Sequence, residues 1–325
     1  MPAAGKGAVC VTGAGGFIGS WVVQLLLSND YPVHGTVRDP QDDDHNKYAH
    51  LKGLKGLKLF KADLTDYASL LSAIQGCSGV FHVASPVQSS SCSSKQEAEA
   101  EIIEPTVRGT LNVMKACAEA KVKRVVVVSS AAAVVLNPAW LEAGPVTHLI
   151  RSQLYLCIIV QEWYAVAKTE AEREAFEYGH RAGIEVVSIC PTLVVGPVMN
   201  HAVPSGSSFV FSNFREGLEL MDKYPLTRMT VDVRDVAEAM VLMYEKPEAE
   251  GRYICTAHLL RIHDMFELLE SLYPDLNYPN EFTEEQPPKL ELSAEKLKKL
   301  GWSYRPFQET LVDSVESYRK AGILD

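Results

Sequence analysis

Tyr164 and Lys168 stand four residues apart in Glu162-Trp163-Tyr164-Ala165-Val166-Ala167-Lys168. On a helix, positions i and i+4 share a face. A free phenol has a pKa of about 10, and an ammonium one turn away favours the phenolate and lowers it. Such a tyrosine can give a proton to a carbonyl oxygen as negative charge develops there. Alone, the spacing is equally that of a surface i,i+4 pair, so other residues must join it. Ser129-Ser130 closes the β-branched run Arg124–Val128. Alternation along a strand turns the two serines to opposite sides. Ser130 is assigned to polarise the substrate oxygen and Ser129 to pack beside it.

The densest signal is Val11-Thr12-Gly13-Ala14-Gly15-Gly16-Phe17-Ile18-Gly19, entered by a strand and left by a helix. Gly13 suits the tight turn, Gly16 lets backbone approach a pyrophosphate, and Gly19 permits close helix–strand packing. The helix start, with Phe17 and Ile18, offers free N–H groups to phosphate. A glycine-rich turn without a ligand is the alternative, but strand, spacing and helix agree on a dinucleotide. The next strand ends Gly35-Thr36-Val37-Arg38. An acid here would bind ribose hydroxyls, whereas Arg38 accommodates a 2′-phosphate. NADPH (or NADP) is therefore the predicted cofactor, unless Arg38 is only a solvated loop charge. Asp63, followed by Leu64, suits the adenine edge. Its alternative is a helix cap, a role Asp66 can also fill.

The elements that must position these groups alternate. Strand candidates are Ala8–Val11, Val33–Val37, Leu57–Phe60, Gly79–Val83, Arg124–Ser129 and Glu185–Cys190. Between them lie helical patterns at Phe17–Ser28, Tyr67–Ile74, Glu97–Ala120, with a kink at Pro105, and Glu162–Ala182. This βαβα order predicts an α/β fold, a Rossmann-type doubly wound parallel sheet. After Pro191 the pattern becomes rich in loops and short helices: Arg234–Tyr244, Met265–Leu272, Ser293–Leu300 and Phe307–Arg319. Residues 1–190 are thus read as the dinucleotide-binding domain. Residues 191–325 are read as a smaller, mostly helical substrate-binding part, with some segments returning to the sheet. Asp39–Asn46 is a polar loop, and Ser85–Lys95 is serine-rich.

Composition narrows the partners. The 325 residues are 47% hydrophobic and carry a net charge of −10 without a long basic run, which argues against nucleic acid. Leu154–Val160 is too short to span a bilayer, which takes about 20 residues. The seven cysteines are scattered and form no Cys-x-x-Cys, which reads as reduced cytoplasmic thiols with no metal site. No secretory signal is apparent. A soluble monomer or homodimer acting on a small molecule is expected.

Taken together, Thr12–Gly19, Asp63, Ser130, Tyr164 and Lys168 resemble the extended short-chain dehydrogenase/reductase family over essentially the whole chain. Thr-Val-Arg-Asp-Pro at 36–40, Phe-His-Val-Ala-Ser-Pro at 81–86, Cys-Pro-Thr-Leu-Val-Val-Gly-Pro at 190–197 and Val-Asp-Val-Arg-Asp-Val-Ala-Glu-Ala at 231–239 are similar to its plant cinnamoyl-CoA reductase and dihydroflavonol reductase branch. Gly251-Arg252-Tyr253-Ile254-Cys255 and Leu300-Gly301-Trp302 match it too. The resemblance implies an NADPH-dependent oxidoreductase that reduces an aldehyde, ketone or CoA thioester of phenylpropanoid type. It implies Ser130, Tyr164 and Lys168 as the catalytic set. It puts Gly13, Gly15, Gly16, Phe17, Ile18, Gly19, Arg38, Asp63, Leu64, Ser129 and Lys168 at the cofactor, with Val83 and Ala84 beside its ribose. Pro191, Thr192 and Val194 would wall the nicotinamide.

Four departures bear on the substrate. Cinnamoyl-CoA reductases resemble Asn-Trp-Tyr-Cys-Tyr-Gly-Lys where this chain reads Glu162 to Lys168. The branch's His-x-x-Lys near the CoA entrance falls near Phe209-Val210-Phe211-Ser212 here, so a cation that would favour a thioester is missing. Dihydroflavonol reductases carry Asn or Asp five residues past the catalytic serine, where this chain has Val135. Between Glu142 and Glu162 no acid occurs, although Cys157 keeps its family position. That stretch is a divergent substrate wall or an incorrectly assembled gene, and His148 within it reads as a loop residue facing solvent. The alternatives to a cinnamoyl-CoA reductase-like enzyme are a dihydroflavonol reductase-like ketone reductase and a catalytically weak NADPH-binding sensor or scaffold.

Overall fold

The computed structural model describes residues 6–41, 48–85, 95–135, 148–200, 227–276, 278 and 292–324, with backbone alone at 95, 135, 148–162, 227 and 262. Seven parallel strands form the main sheet in the order β3-β2-β1-β4-β5-β6-β9. They are β1 (Val9–Thr12), β2 (Val33–Val37), β3 (Leu57–Lys61), β4 (Gly79–His82), β5 (Arg124–Val128), β6 (Glu185–Pro191) and β9 (Gly251–Cys255). The strand order reverses between β1 and β4. In open α/β sheets that switch point opens a crevice at the carboxyl ends of the strands.

Alternation along the strands fills both faces. Val9 and Val11 join one core cluster while Cys10 joins the other, and Val126 and Val128 oppose Val125 and Val127 in the same way. The first face is covered by α1 (Phe17–Ser28) and by the helix Val233–Glu245, which adds Val236, Met240 and Met243. The second is covered by α2 (Tyr67–Ile74), α4 (Glu104–Glu119) and part of α6 (His148–Ala182). A strand buried on both sides reads as a continuous apolar run, as Arg124–Val128 does. The short helix α3 (Lys95–Ala98) passes into a π-helical turn at Glu99–Ile103, just ahead of Pro105. Proline cannot donate to the preceding turn, and the wider turn absorbs that loss.

One expectation is corrected. Helix α6 begins at His148 rather than Glu162, so His148 is helical and not a loop residue. Residues 148–161 contain neither Gly nor Pro, so nothing local stops the helix there. The chain after Pro191, read as mostly helical with some segments returning to the sheet, also gives β9 to the main sheet. It contributes a three-stranded sheet, β10-β8-β7, made of β7 (Leu193–Val195), β8 (Thr227–Asp232) and β10 (His258–Arg261). Strands of three to six residues carry too little alternation to be read from sequence. Helices α7 (Val233–Glu245), α8 (Ile262–Leu272), α9 (Glu295–Lys298) and α10 (Phe307–Lys320) complete the described elements, with α5 (Ala132–Val135) following β5. Among the described residues no helix is long and apolar enough to cross a membrane. The expectations on the stretches 42–46, 86–94 and 209–212 fall outside the described residues.

Candidate active site

The turn from β1 into α1 is shaped by what its glycines lack. Gly13 has φ of 69°, and a Cβ there would lie 3.0 Å from the Ala84 backbone. A Cβ on Gly19 would stand 2.1 Å from the Gly13 carbonyl oxygen, so only glycine lets the helix start this close to the turn. At Gly15 the missing side chain makes room for the Tyr48 ring, whose nearest carbon would be 2.3 Å from a Cβ. Helix α1 has Gly16 at its N-cap and no side-chain cap. Its first N–H groups, at Phe17, Ile18 and Gly19, are thus left for an anion, and the helix dipole adds positive potential there.

Thr12 joins this turn to the end of β4. The Val83 and Ala84 amides both donate to Thr12 Oγ1, each at 3.1 Å. Those two bonds fill the oxygen's acceptor sites, so its own hydrogen goes to His82 Nδ1, 3.0 Å away. His82 therefore carries its proton on Nε2 and donates to Thr110 Oγ1 at 3.1 Å. Burial, with the Lys168 charge adding to it, pushes the imidazole down to about 3. His82 is neutral at any ordinary pH. The sequence motif Phe-His-Val-Ala-Ser-Pro contains this histidine, but only its partners reveal the task.

On the other side of the switch point, β5 runs into Ser129 and Ser130. Ser129 N donates to Ile189 O at 2.8 Å and Ala131 N to Pro191 O at 2.9 Å, so the serines stay alongside β6. Ser129 is buried, whereas Ser130 is half-buried and its Oγ accepts from Ala132 N at 3.2 Å. From α6, Lys168 Nζ donates to Val128 O at 3.1 Å and lies 5.9 Å from the centroid of the half-buried Tyr164 ring. The lysine is itself buried, with 7% exposure. Tyr164, Lys168 and the end of β5 thus meet at the carboxyl edge of the sheet. The side chain of Val135 lies outside the described residues, as do those of His148 and Cys157.

The remaining predicted residues line the same edge. Arg38 is exposed at the end of β2. Asp63 is exposed after β3, where its Oδ1 accepts from Thr65 N at 2.8 Å and Thr65 Oγ1 at 2.6 Å. Those bonds hold its carboxyl below the usual range, with Arg38 contributing least. The cap of α2 is Asp66, which accepts from Ala68 N and Ser69 N. Leu64 packs on Gly109 of α4 and accepts from Asn112 Nδ2 at 2.9 Å. Pro191 is buried at the end of β6, and Thr192 Oγ1 donates to Thr256 Oγ1 at 3.2 Å. Val194 in β7 is half-buried. Two contacts were not foreseen: Trp21 Nε1 donates to Pro197 O at 2.9 Å and Asn200 Nδ2 to Gly15 O at 3.3 Å. They draw the segment after β7 against the glycine turn.

Residues 9–255 match the NAD dependent epimerase/dehydratase family. The chain belongs to that family. It is 39% identical over 323 residues to cinnamoyl-CoA reductase 1 of Petunia hybrida, covering 97% of this chain and 93% of the relative. Among solved structures it is similar to vestitone reductase from alfalfa (Medicago sativa L.), with a TM-score of 0.77 and 30% identity over 98% of this chain and 100% of that one. It is also similar to yeast methylglyoxal/isovaleraldehyde reductase Gre2 complexed with NADPH, with a TM-score of 0.78 and 25% identity over 98% and 100% of the two chains. Within the family this chain falls in the cinnamoyl-CoA reductase-like and dihydroflavonol reductase-like branch of NADPH-dependent oxidoreductases. The residues present fit that cofactor: an uncapped helix start for the pyrophosphate, a turn that only glycines can make, and a cation at the end of β2 where an acid would repel a 2′-phosphate.

Proposed function

We propose that this reductase uses NADPH to reduce the carbonyl of a phenylpropanoid-type aldehyde, ketone or thioester, with Tyr164 as proton donor. The single observation that carries the reading is the hold on Lys168, whose ammonium is buried beside the Tyr164 ring and fixed by Val128 O. A cation so placed offsets the negative charge that Tyr164 carries once it has given up its proton. Bound NADPH supplies the hydride. Tyr164 gives its phenolic proton to the carbonyl oxygen as charge builds there. Ser130 Oγ donates a hydrogen bond to the same oxygen and fixes its direction. Lys168 spends one N–H on Val128 O and has two left that would hold the ribose. His82, being neutral, adds no second charge beside Lys168.

On this reading Gly13 to Gly19 hold the pyrophosphate, Arg38 the 2′-phosphate, Asp63 and Leu64 the adenine, and Val83, Ala84 and Ser129 the ribose side. Pro191, Thr192 and Val194 wall the nicotinamide. Residues 1–190 act as the cofactor domain and 191–325 as the substrate part, with β9 returned to the sheet. The five described cysteines are free and buried, in keeping with a reducing, cytoplasmic setting. The test is loss of NADPH absorbance with a panel of cinnamaldehydes, cinnamoyl thioesters and dihydroflavonols. Turnover of an aldehyde or thioester supports the reading. NADPH binding with no turnover on any member of the panel would leave a sensor in its place.

A further inference from the structure

Glu172 lies two helical steps beyond Tyr164 on α6, so Tyr164, Lys168 and Glu172 follow one another at i, i+4 and i+8 on one face. Its carboxylate is only 1% exposed. A charge so buried persists only when it is paired and hydrogen-bonded. The partner comes from β9: Arg252 donates through Nε to Oε1 at 2.9 Å and through Nη2 to Oε2 at 2.5 Å. This is a two-point fork with a fixed direction. From β6, Cys190 Sγ donates to Glu172 Oε1 at 3.7 Å, and burial, with Glu172 adding to it, pushes that thiol up to about 12. Lys168 adds the bond to Val128 O in β5. Three neighbouring strands, β5, β6 and β9, thus grip one face of one helix. Among the described residues the ionisable groups around this face are Cys190 and Arg252, with neutral His82 of β4 beside Lys168.

We propose that the Glu172–Arg252 pair is a positioning device for the reaction, which fixes the rotation of α6 against the sheet. The proposal rests on Tyr164 being the proton donor. Apolar packing alone leaves a helix free to turn a little about its axis, and a fork does not. Side chains reach roughly 6 Å from a helix axis, so a turn of about 10° moves a tip by roughly 1 Å. Misplacement on that scale can cost about 10²-fold in rate. Stability is a poor explanation for the pair, because apolar replacements of similar size are often equally stable. Tyr164 and Lys168 share the helix and move together. What the pair sets is their distance from Ser130 and from the cofactor across the cleft.

The experiment reads Tyr164 directly and needs no substrate. Phenolate absorbance is titrated in the free and NADP-saturated protein, and the signal of the same protein carrying Tyr164→Phe is subtracted. The proteins are wild type, Arg252→Lys, which keeps the charge without the fork, and the double variant Glu172→Met with Arg252→Met. In wild type, binding of oxidised NADP, whose nicotinamide is positive, is expected to move the Tyr164-dependent absorbance change to lower pH. In both variants the midpoint of the free protein is expected to stay, since Lys168 still neighbours Tyr164, while the NADP-induced shift falls to half or less. The double variant is expected to melt close to wild type. A full NADP-induced shift in either folded variant overturns the positioning role, whatever its melting temperature. A wild-type Tyr164 that titrates like free tyrosine, with or without NADP, overturns the proton-donor reading and this inference with it, and it is seen before any variant at the pair is made.

Discussion

Thr12 and His82 face each other across the β1–β4 pair at 3.0 Å, and the threonine is the donor. One hydroxyl thereby serves two amides and an imidazole at the point where the glycine turn meets the end of β4. Thr12→Val keeps the shape and removes all three bonds. Leaving buried groups unpaired is expected to cost about 1–3 kcal/mol. Thr12→Ser keeps the hydroxyl and most of the stability. Urea unfolding of the two variants decides the point, and a valine variant as stable as the serine one would contradict the assigned bonds.

Two buried groups tilt stability against pH in opposite directions. His82 titrates at about 3 in the fold and at about 6.5 when unfolded. Its contribution is complete above the unfolded value and is lost as pH falls toward 3. Asp235 is pushed up to about 6, chiefly by burial, against about 3.9 unfolded. Its contribution is present below the unfolded value and is lost as pH rises through 6. Between about pH 4 and 6 the two slopes, each up to roughly 1.4 kcal/mol per pH unit, offset one another. His82→Gln is therefore expected to make stability fall as pH rises over this window, and Asp235→Asn to make it rise. Parallel slopes in wild type and both variants would show that neither group is shifted.

Much of the frame was legible because its signals are local. Phe17–Ser28, Val33–Val37 and Tyr67–Ile74 follow the sequence pattern residue for residue. The glycine turn is legible too, since steric contacts of 2.1 Å at Gly19 and a left-handed Gly13 admit no other residue type. What sequence hides is partnership across long stretches of chain. Nothing near Glu172 announces Arg252, 80 positions away. The strands of the small sheet escape for another reason: each is too short to alternate visibly. Asp63 and Asp66 were interchangeable as caps until Ala68 N and Ser69 N were seen to bond Asp66.

Arg124 is a second case of hidden partnership. Its guanidinium donates to the carbonyls of Met243, Tyr244, Lys246, Pro247 and Ala249, closing the end of α7 against β5. Helix ends leave carbonyls without partners, and a planar five-donor group serves several at once. Arg124→Lys offers three donors on one atom and is expected to lose about 2–4 kcal/mol, from bonds to a charged group worth roughly 1.5–3 kcal/mol each. Thermal or urea unfolding checks this. A lysine variant of wild-type stability would mean that water caps the helix just as well.

Cofactor choice is expected to follow Arg38, which stands exposed at the end of β2. Arg38→Asp removes a charged contact to the 2′-phosphate, worth about 1.5–3 kcal/mol, or roughly 10–150-fold in NADPH affinity. NADH has no such phosphate and is expected to lose much less. Fluorescence titration with both nucleotides separates the cases, and equal losses would show that Arg38 does not read the phosphate.

The most direct measurement is the single-turnover rate of hydride transfer in Tyr164→Phe, on whichever panel compound the wild type reduces, with NADPH affinity measured beside it. The variant removes one hydroxyl and keeps the ring. Loss of a general acid is expected to slow the step by about 10²–10⁴-fold. NADPH affinity is expected to stay near wild type, because Lys168 keeps its bond to Val128 O and the glycine turn is untouched. A variant that retains more than about a tenth of the wild-type rate would contradict the account, for the proton would then come from another group.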